Sequence, residues 1–263
     1  MLDTVDLSKR TRKTDYKAKQ DNLENRLGKL QRDLRELDVP LIISFEGWGA
    51  SGKGTLINKL LLSLDPRGTT VHSITEPTTE ERRHPYFWRF WTRTPARGRI
   101  AIFDRSWYSR FLIDGFDASL ADKVGDRAYE EVNAFERQLV DDGYIILKFF
   151  LHISPQEQEK RFRELEGNAS MEWRVTEKDW EKHRKYGRYA KITNAMMART
   201  NTQYAPWTVV EAEDWRYATQ KVYNTIIQTV ETRILAHTQT EVQFGPPAWR
   251  EEHIPDLLGK VDL

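Results

Sequence analysis

Segments that read as strands recur along the chain at VPLIISFE (39–46), TTVHSIT (69–75), RIAIFD (99–104), YIILKFFLHI (144–153) and WTVVEA (207–212). VPLIISFE, a continuous apolar run ended by glycines, predicts a strand buried on both faces. Helical spacing fills the gaps. Residues 16–38 place Leu23, Leu27, Leu30 and Leu34 on one stripe, an amphipathic helix laid on the body or on a partner subunit. GKGTLINKLLLSL reads as a helix stopped by Asp65-Pro66-Arg67-Gly68, and HPYFWRFW as one opened by Pro85. Tyr129 to Val140 and Trp215 to Leu235 are helical, and Ser154-Pro155 caps a further helix. Strands alternating with helices predict an α/β fold: a parallel sheet between two helical layers.

The spacing breaks in two places. Residues 155–204 read as an insert of two charged helices with no strand between them. The tail 237–263 has three prolines and no periodicity, and reads as irregular. The expectation is a single domain over 1–263 with a helical extension at 1–38. One end-to-end echo stands out: Leu2 to Leu7 (LDTVDL) resembles Leu258 to Leu263 (LGKVDL), by chance or because the chain is one unit of a tandem array.

The first strand runs into FEGWGASGKGTL. Gly47, Gly52 and Lys53 meet the G-x-x-x-x-G-K spacing of a P-loop, in the strand-to-helix setting that gives the pattern meaning. There the amides of Gly47, Gly49, Ala50, Ser51, Gly52, Gly54 and Thr55 can form an anion nest at a helix N-terminus. Lys53 can neutralise phosphate oxygens in a transition state. The position after the lysine, usually Ser or Thr, is Gly54, and the hydroxyl arrives at Thr55.

RIAIFDRSWYSR ends a strand in Asp104, where P-loop proteins place the carboxylate that holds magnesium. Arg105 and Arg110 follow it closely, and an arginine fork suits a phosphate chain. The segment 76–93, EPTTEERRHPYFWRFWTR, leaves the strand edge where α/β sheets bind ligands. Arg89 and the pair Arg82–Arg83 are its ligand candidates, while Phe87 and Trp91 read as core. Basic residues of the insert, Arg161 and Arg174 among them, read mainly as a solvated face, yet a two-helix insert here also suits a water-excluding lid.

Composition narrows the chemistry. The 263 residues are 31% charged and 39% hydrophobic with a net charge of +1, so a polyanion partner needs segregated basic residues. There is no cysteine, which removes thiol and cysteine–zinc chemistry, and no histidine pair has helical metal spacing. The polar N-terminus lacks a secretory core and the apolar runs are too short to span a bilayer. A cytoplasmic location with neither membrane nor nucleic-acid partner is expected.

Taken together, FEGWGASGKG, PTTEER…PYFWRFW, IAIFDRSWYSR, FERQLVDDGYIILKFFLHIS, QEKRF and EWRVTEKDWEKH…YAPWTVVEAED resemble the polyphosphate kinase 2 family, especially its polyphosphate:AMP phosphotransferase branch. The resemblance implies a thymidylate-kinase-like P-loop fold with a helical lid insert at 155–204. It implies magnesium, homo-oligomers, and phosphoryl transfer between inorganic polyphosphate and an adenine or guanine nucleotide, AMP or ADP. Lys53 and the loop amides would hold the transferring phosphates and Asp104 the metal, with Arg105, Arg161 and Arg174 on phosphate and Glu81 and Arg89 on the nucleotide side. In this family Gly54 is ordinary. The departures are Gly49, where most members carry an aspartate, Gly187 in place of Asp and Asn194 in place of Glu. Two alternatives follow: a catalytically weakened polyphosphate- and nucleotide-binding member, or an ATP-dependent kinase of a small metabolite.

Overall fold

The computed structural model describes residues 1–114 and 125–244. Its sheet has five parallel strands in the order β2-β3-β1-β4-β5. They are β1 (Leu41–Gly47), β2 (Thr69–Ser73), β3 (Ile100–Asp104), β4 (Ile145–His152) and β5 (Trp207–Glu211). Each of the five segments forms one of them, four trimmed and β1 shifted to end one residue later, at Gly47. Inner strands have no polar face: all of β4 is buried, and Ile43 of β1 lies between Ile102 and Leu147. β2 closes an edge and leaves Thr70 and Val71 exposed. After β3 the chain crosses to the far side of β1, so the carboxyl ends of β1, β3 and β4 meet where the winding reverses.

The helices are α1 (Lys13–Glu36), α2 (Lys53–Leu62), α3 (Trp88–Trp91), α4 (Asp126–Asp141), α5 (Pro155–Glu166), α6 (Glu177–Arg184), α7 (Tyr186–Thr200) and α8 (Trp215–Phe244). The leucine stripe of α1 is buried against the body, where α1 packs on α8. Arg26 donates to both carboxylate oxygens of Glu231 at 2.8 Å, and Tyr16 meets Trp215 edge-on. Each buried leucine contributes roughly 1.5–3 kcal/mol.

Three elements differ from expectation. Only Trp88–Trp91 of the aromatic segment is helical, because Pro85 starts a turn there and Pro95 follows close behind. The insert holds α5, α6 and α7 rather than two helices. The Thr176–Asp179 capping box starts α6 afresh, and Lys185 (φ −107°, ψ 23°) breaks the chain between α6 and α7. The closing helix α8 continues past Leu235 to Phe244, into the segment expected to be irregular. The three prolines and the repeated hexapeptide near the C-terminus lie outside the described residues.

Candidate active site

β1 ends at Gly47 (φ 142°), where a Cβ would stand 2.5 Å from the Leu151 carbonyl oxygen of β4. Only glycine lets the loop pass so close. Ala50 (φ 56°) and Gly52 (φ 91°) are left-handed, and Gly52 is the N-cap of α2. The first-turn amides of Lys53, Gly54 and Thr55 have no acceptor within the helix, which makes this corner an anion site. Lys53 folds over it and donates to the carbonyls of Gly47 at 3.0 Å and Trp48 at 3.1 Å.

Above the loop lies a cavity of about 70 Å³ whose charged walls are Lys53, Arg105, Lys182, Glu46 and Asp179. Cations outnumber acids there. Glu46, 2% exposed, accepts from the Ser106 amide at 2.8 Å and its hydroxyl at 2.9 Å. Burial raises its pKa to about 7, so its charge is weak near neutrality and the positive excess grows. Arg105 follows β3 with φ 62°, an uncommon conformation for a residue with a side chain, held by its amide bond to the Phe45 carbonyl at 2.9 Å. Asp104 is not part of the cavity wall, but of all charges it acts most strongly on Lys53.

Lys53 is half-buried with its ammonium inside the cavity, and desolvation lowers its pKa to about 8 against the opposing pull of Asp104. A bound anion favours the charged ammonium and returns the pKa upward. Binding should therefore take up protons near pH 8, and affinity should fall as pH rises through that value, by up to about tenfold per unit. Calorimetry of sulfate, whose own charge is constant in this range, in buffers of different ionisation enthalpy measures both. Affinity that does not change between pH 7 and pH 9 contradicts it.

The insert closes over the loop through aromatic contacts. Trp48 stacks on Tyr186 of α7 at 3.9 Å, and its indole donates to His152 Nδ1 at 2.7 Å. Burial holds His152 near pKa 4, hence neutral and able to accept. Gln158 of α5 donates to the Gly49 carbonyl at 3.1 Å and its carbonyl end meets His183 of α6 at 2.8 Å. Such a loop, roofed by helices and lined by cations, has the arrangement that can hold phosphoryl oxygens.

A model of one family, described as polyphosphate kinase 2, matches residues 10–238. The chain belongs to the polyphosphate kinase 2 family. A polyphosphate:AMP phosphotransferase of Pseudomonas syringae pv. tomato is 41% identical over 231 residues, which are 88% of this chain and 46% of that protein. An AMP/ADP-polyphosphate phosphotransferase of Meiothermus ruber is 33% identical over 220 residues, 83% of this chain and 82% of that one. The crystal structure of polyphosphate kinase 2 from Arthrobacter aurescens superposes with a TM-score of 0.82 at 29% identity, covering 88% of this chain and 86% of that one. The chain spans about half the length of the polyphosphate:AMP phosphotransferases it matches. The fold is the P-loop α/β architecture expected of the family.

Against that family, the residues singled out in the sequence divide into groups. Gly47, Gly49, Lys53 and Arg105 meet at the cavity, with Asp104 beside them. Ser51, Thr55 and Arg174 line a second, larger pocket behind the loop. Arg161 gives its hydrogen bonds to protein: Glu157 at 2.7 Å, the Ala50 carbonyl at 3.1 Å, and the carbonyls of Ala212 and Glu213 at 2.9 and 3.0 Å. It ties the loop to the end of β5. Arg110 pairs with Glu131 of α4 at 2.7 Å and lies over Tyr86. Glu81, 8% exposed, binds Arg89 at 3.3 Å and Arg93 at 2.7 Å, a rigid knot beneath the aromatic segment. Phe87 stacks on Phe135 and packs half-buried against the core, whereas Trp91, expected in the core, meets the same ring edge-on and stays 41% exposed because only one of its faces is covered.

The departures also have physical consequences. A Cβ at Gly49 would lie 3.3 Å from Phe162 Cζ, so an apolar ring of α5 occupies the space where the family's aspartate would project. Around Gly187 a Cβ would meet nothing within 4 Å. Asn194 accepts from the Leu2 amide at 2.9 Å and donates to Asp3 at 3.0 Å, where glutamate would face a like charge. Glu46, Trp48, Gln158, Phe162, Asp179 and Lys182 are site residues that sequence reasoning missed. For Glu46 the signal was present, a lone carboxylate in LIISFEG.

Proposed function

We propose that this chain is a polyphosphate-dependent nucleotide kinase that moves the terminal phosphoryl group of inorganic polyphosphate onto AMP or ADP. The observation that carries the reading is Lys53 held with Arg105 and Lys182 around one cavity on the P-loop, next to Asp104. In the reaction a nucleotide phosphate oxygen attacks in line. A new P–O bond forms, the bridging P–O bond breaks, and the polyphosphate leaves one unit shorter. Lys53 and Arg105 take the charge that spreads onto the equatorial oxygens, and no covalent protein intermediate is needed. Arg161 acts by position, fixing the loop, and the Glu81–Arg89–Arg93 knot shapes the nucleotide side.

Magnesium belongs to this proposal, and the residues fit it in one limited way. Among the described residues no group of three His, Cys, Asp or Glu could cage a metal. Magnesium on phosphates commonly takes only one or two carboxylates, which Asp104 can supply. When bound it would offset negative charge on the reacting phosphates. Among the described residues no helix is long and apolar enough to cross a membrane. A cytoplasmic homo-oligomer is part of the same reading. Protein supplied with Mg²⁺, long-chain polyphosphate and AMP or ADP should yield the more phosphorylated nucleotide. Product formed from ATP and a metabolite alone would replace the reading.

Phe162 beside Gly49 favours a second reading, a chain that binds but turns over slowly. Gly49→Asp restores a carboxylate at the loop; its Cβ alone would press on Phe162 at 3.3 Å, so the ring must turn aside to admit the carboxylate. We expect initial rates to rise roughly ten- to hundredfold, below the full worth of such a group because the ring is in the way. Unchanged rates would remove Gly49 as the limiting feature.

A further inference from the structure

Behind the P-loop lies a pocket of about 680 Å³, within the roughly 300–1,000 Å³ typical of small-ligand sites. Ala50, Ser51, Gly52 and Thr55 form one wall, so whatever occupies it touches the loop. Its far wall is apolar, with Leu56, Leu165, Met171 and the ring of Trp215, which is 44% exposed. Ser51 is 3% exposed, and its hydroxyl has no hydrogen-bond partner in the structure.

Charge decides what fits. Lys59, Arg161 and Arg174 are matched by Glu157, Glu164 and Glu213. Arg161 is already spent on Glu157 and three backbone carbonyls. A bare polyphosphate chain, negative at every unit, would find no net positive charge here and an apolar wall it cannot use. A base and ribose would use both. Lys59, whose ammonium lies 4.3 Å over the Trp215 ring and pairs with no carboxylate among the described residues, could turn to the phosphates as the base takes the ring.

We propose that this pocket binds the nucleoside part of a nucleotide, base against Trp215 and phosphates on the P-loop amides, with Ser51 bonding the ribose or first phosphate. The chain then carries a nucleotide site behind the loop, separate from the segment 76–93. The phosphates of such a nucleotide would compete with polyphosphate for the P-loop amides alone. The inference goes beyond the proposed transfer and does not depend on it.

ATP should bind at least roughly tenfold more tightly than inorganic tripolyphosphate, the gain being base stacking. Trp215→Ala should remove most of that gain and change tripolyphosphate affinity less than twofold. Because Trp215 also packs on Tyr16, a test in the parent protein accompanies it: photolabelling with 8-azido-ATP and peptide mapping. Label within 211–221, alone or with a second site, supports the pocket. Label confined to other segments, or equal affinities for ATP and tripolyphosphate, overturns it, whatever the outcome of the polyphosphate–AMP assay.

Discussion

Lys53→Ala protein should transfer phosphoryl groups two to three powers of ten more slowly than the parent, a loss of roughly 3–4 kcal/mol of transition-state stabilisation. The lysine is the group that both the loop and the roof converge on. Its ammonium sits on the Gly47 and Trp48 carbonyls, half-buried in the cavity and in reach of oxygens held by the α2 amides. Arg105 and Lys182 contribute positive charge, but both are exposed and therefore more screened. The fold should survive the change, because the loop is also held by Arg161 on Ala50 and by the Trp48–Tyr186 stack. Initial rates with polyphosphate and AMP, beside unchanged circular dichroism and thermal midpoint, measure the effect. Equal rates would show that the cavity is not where transfer occurs. Lys53→Arg should rescue poorly, since a planar fork does not fit where a compact ammonium folds back onto two carbonyls.

The strands were legible because burial on both faces writes itself as uninterrupted apolar residues: LIISF, IAIF and IILKFFL each became an inner strand. The loop was legible because Gly47 and Gly52 answer to geometry. One clears the Leu151 backbone and the other turns left-handed into α2. What the chain does not reveal is which donors are already spoken for. Arg161 and Arg110 look in sequence like Arg105, yet the first is consumed by carbonyls of the loop and β5, and the second by Glu131. Those partners lie far away along the chain, and nothing local announces them. The insert was misjudged as two helices because charged helices lack an apolar period to count, and the break at Lys185 depends on backbone angles alone. The space at Gly49 is a tertiary matter too. Only packing shows that Phe162 fills it.

Lys148 exposes the same limit and carries the largest stability effect. Within a largely apolar strand it reads as an intrusion, yet its side chain is 0% exposed and pairs at 2.8 Å with Glu136, likewise 0% exposed. Its ammonium also donates to the Tyr108 hydroxyl at 2.9 Å and the Thr200 carbonyl at 2.7 Å. Glu136 in turn accepts from the Tyr108 hydroxyl at 2.6 Å and the Trp107 indole at 3.0 Å. The pair thus joins β4, α4, the turn after Asp104 and the end of α7. Glu136→Ala leaves a buried ammonium without a counter-charge and should cost about 3–5 kcal/mol, read as a lower urea midpoint with an unchanged slope. Burial already lowers the Lys148 pKa, with Glu136 opposing. Without that carboxylate the pKa falls further below the ordinary 10.5. A lysine depressed in the folded state costs stability as pH falls below its unfolded value, because the folded chain then binds fewer protons than the unfolded one. The deficit of Glu136→Ala relative to the parent should therefore shrink as pH rises toward 10. Replacing the pair together, Glu136→Leu with Lys148→Met, should recover most of the loss, since neither charge is then left alone. A single variant as stable as the parent at pH 7 would mean that water reaches the ammonium and the pair is not what joins these four elements.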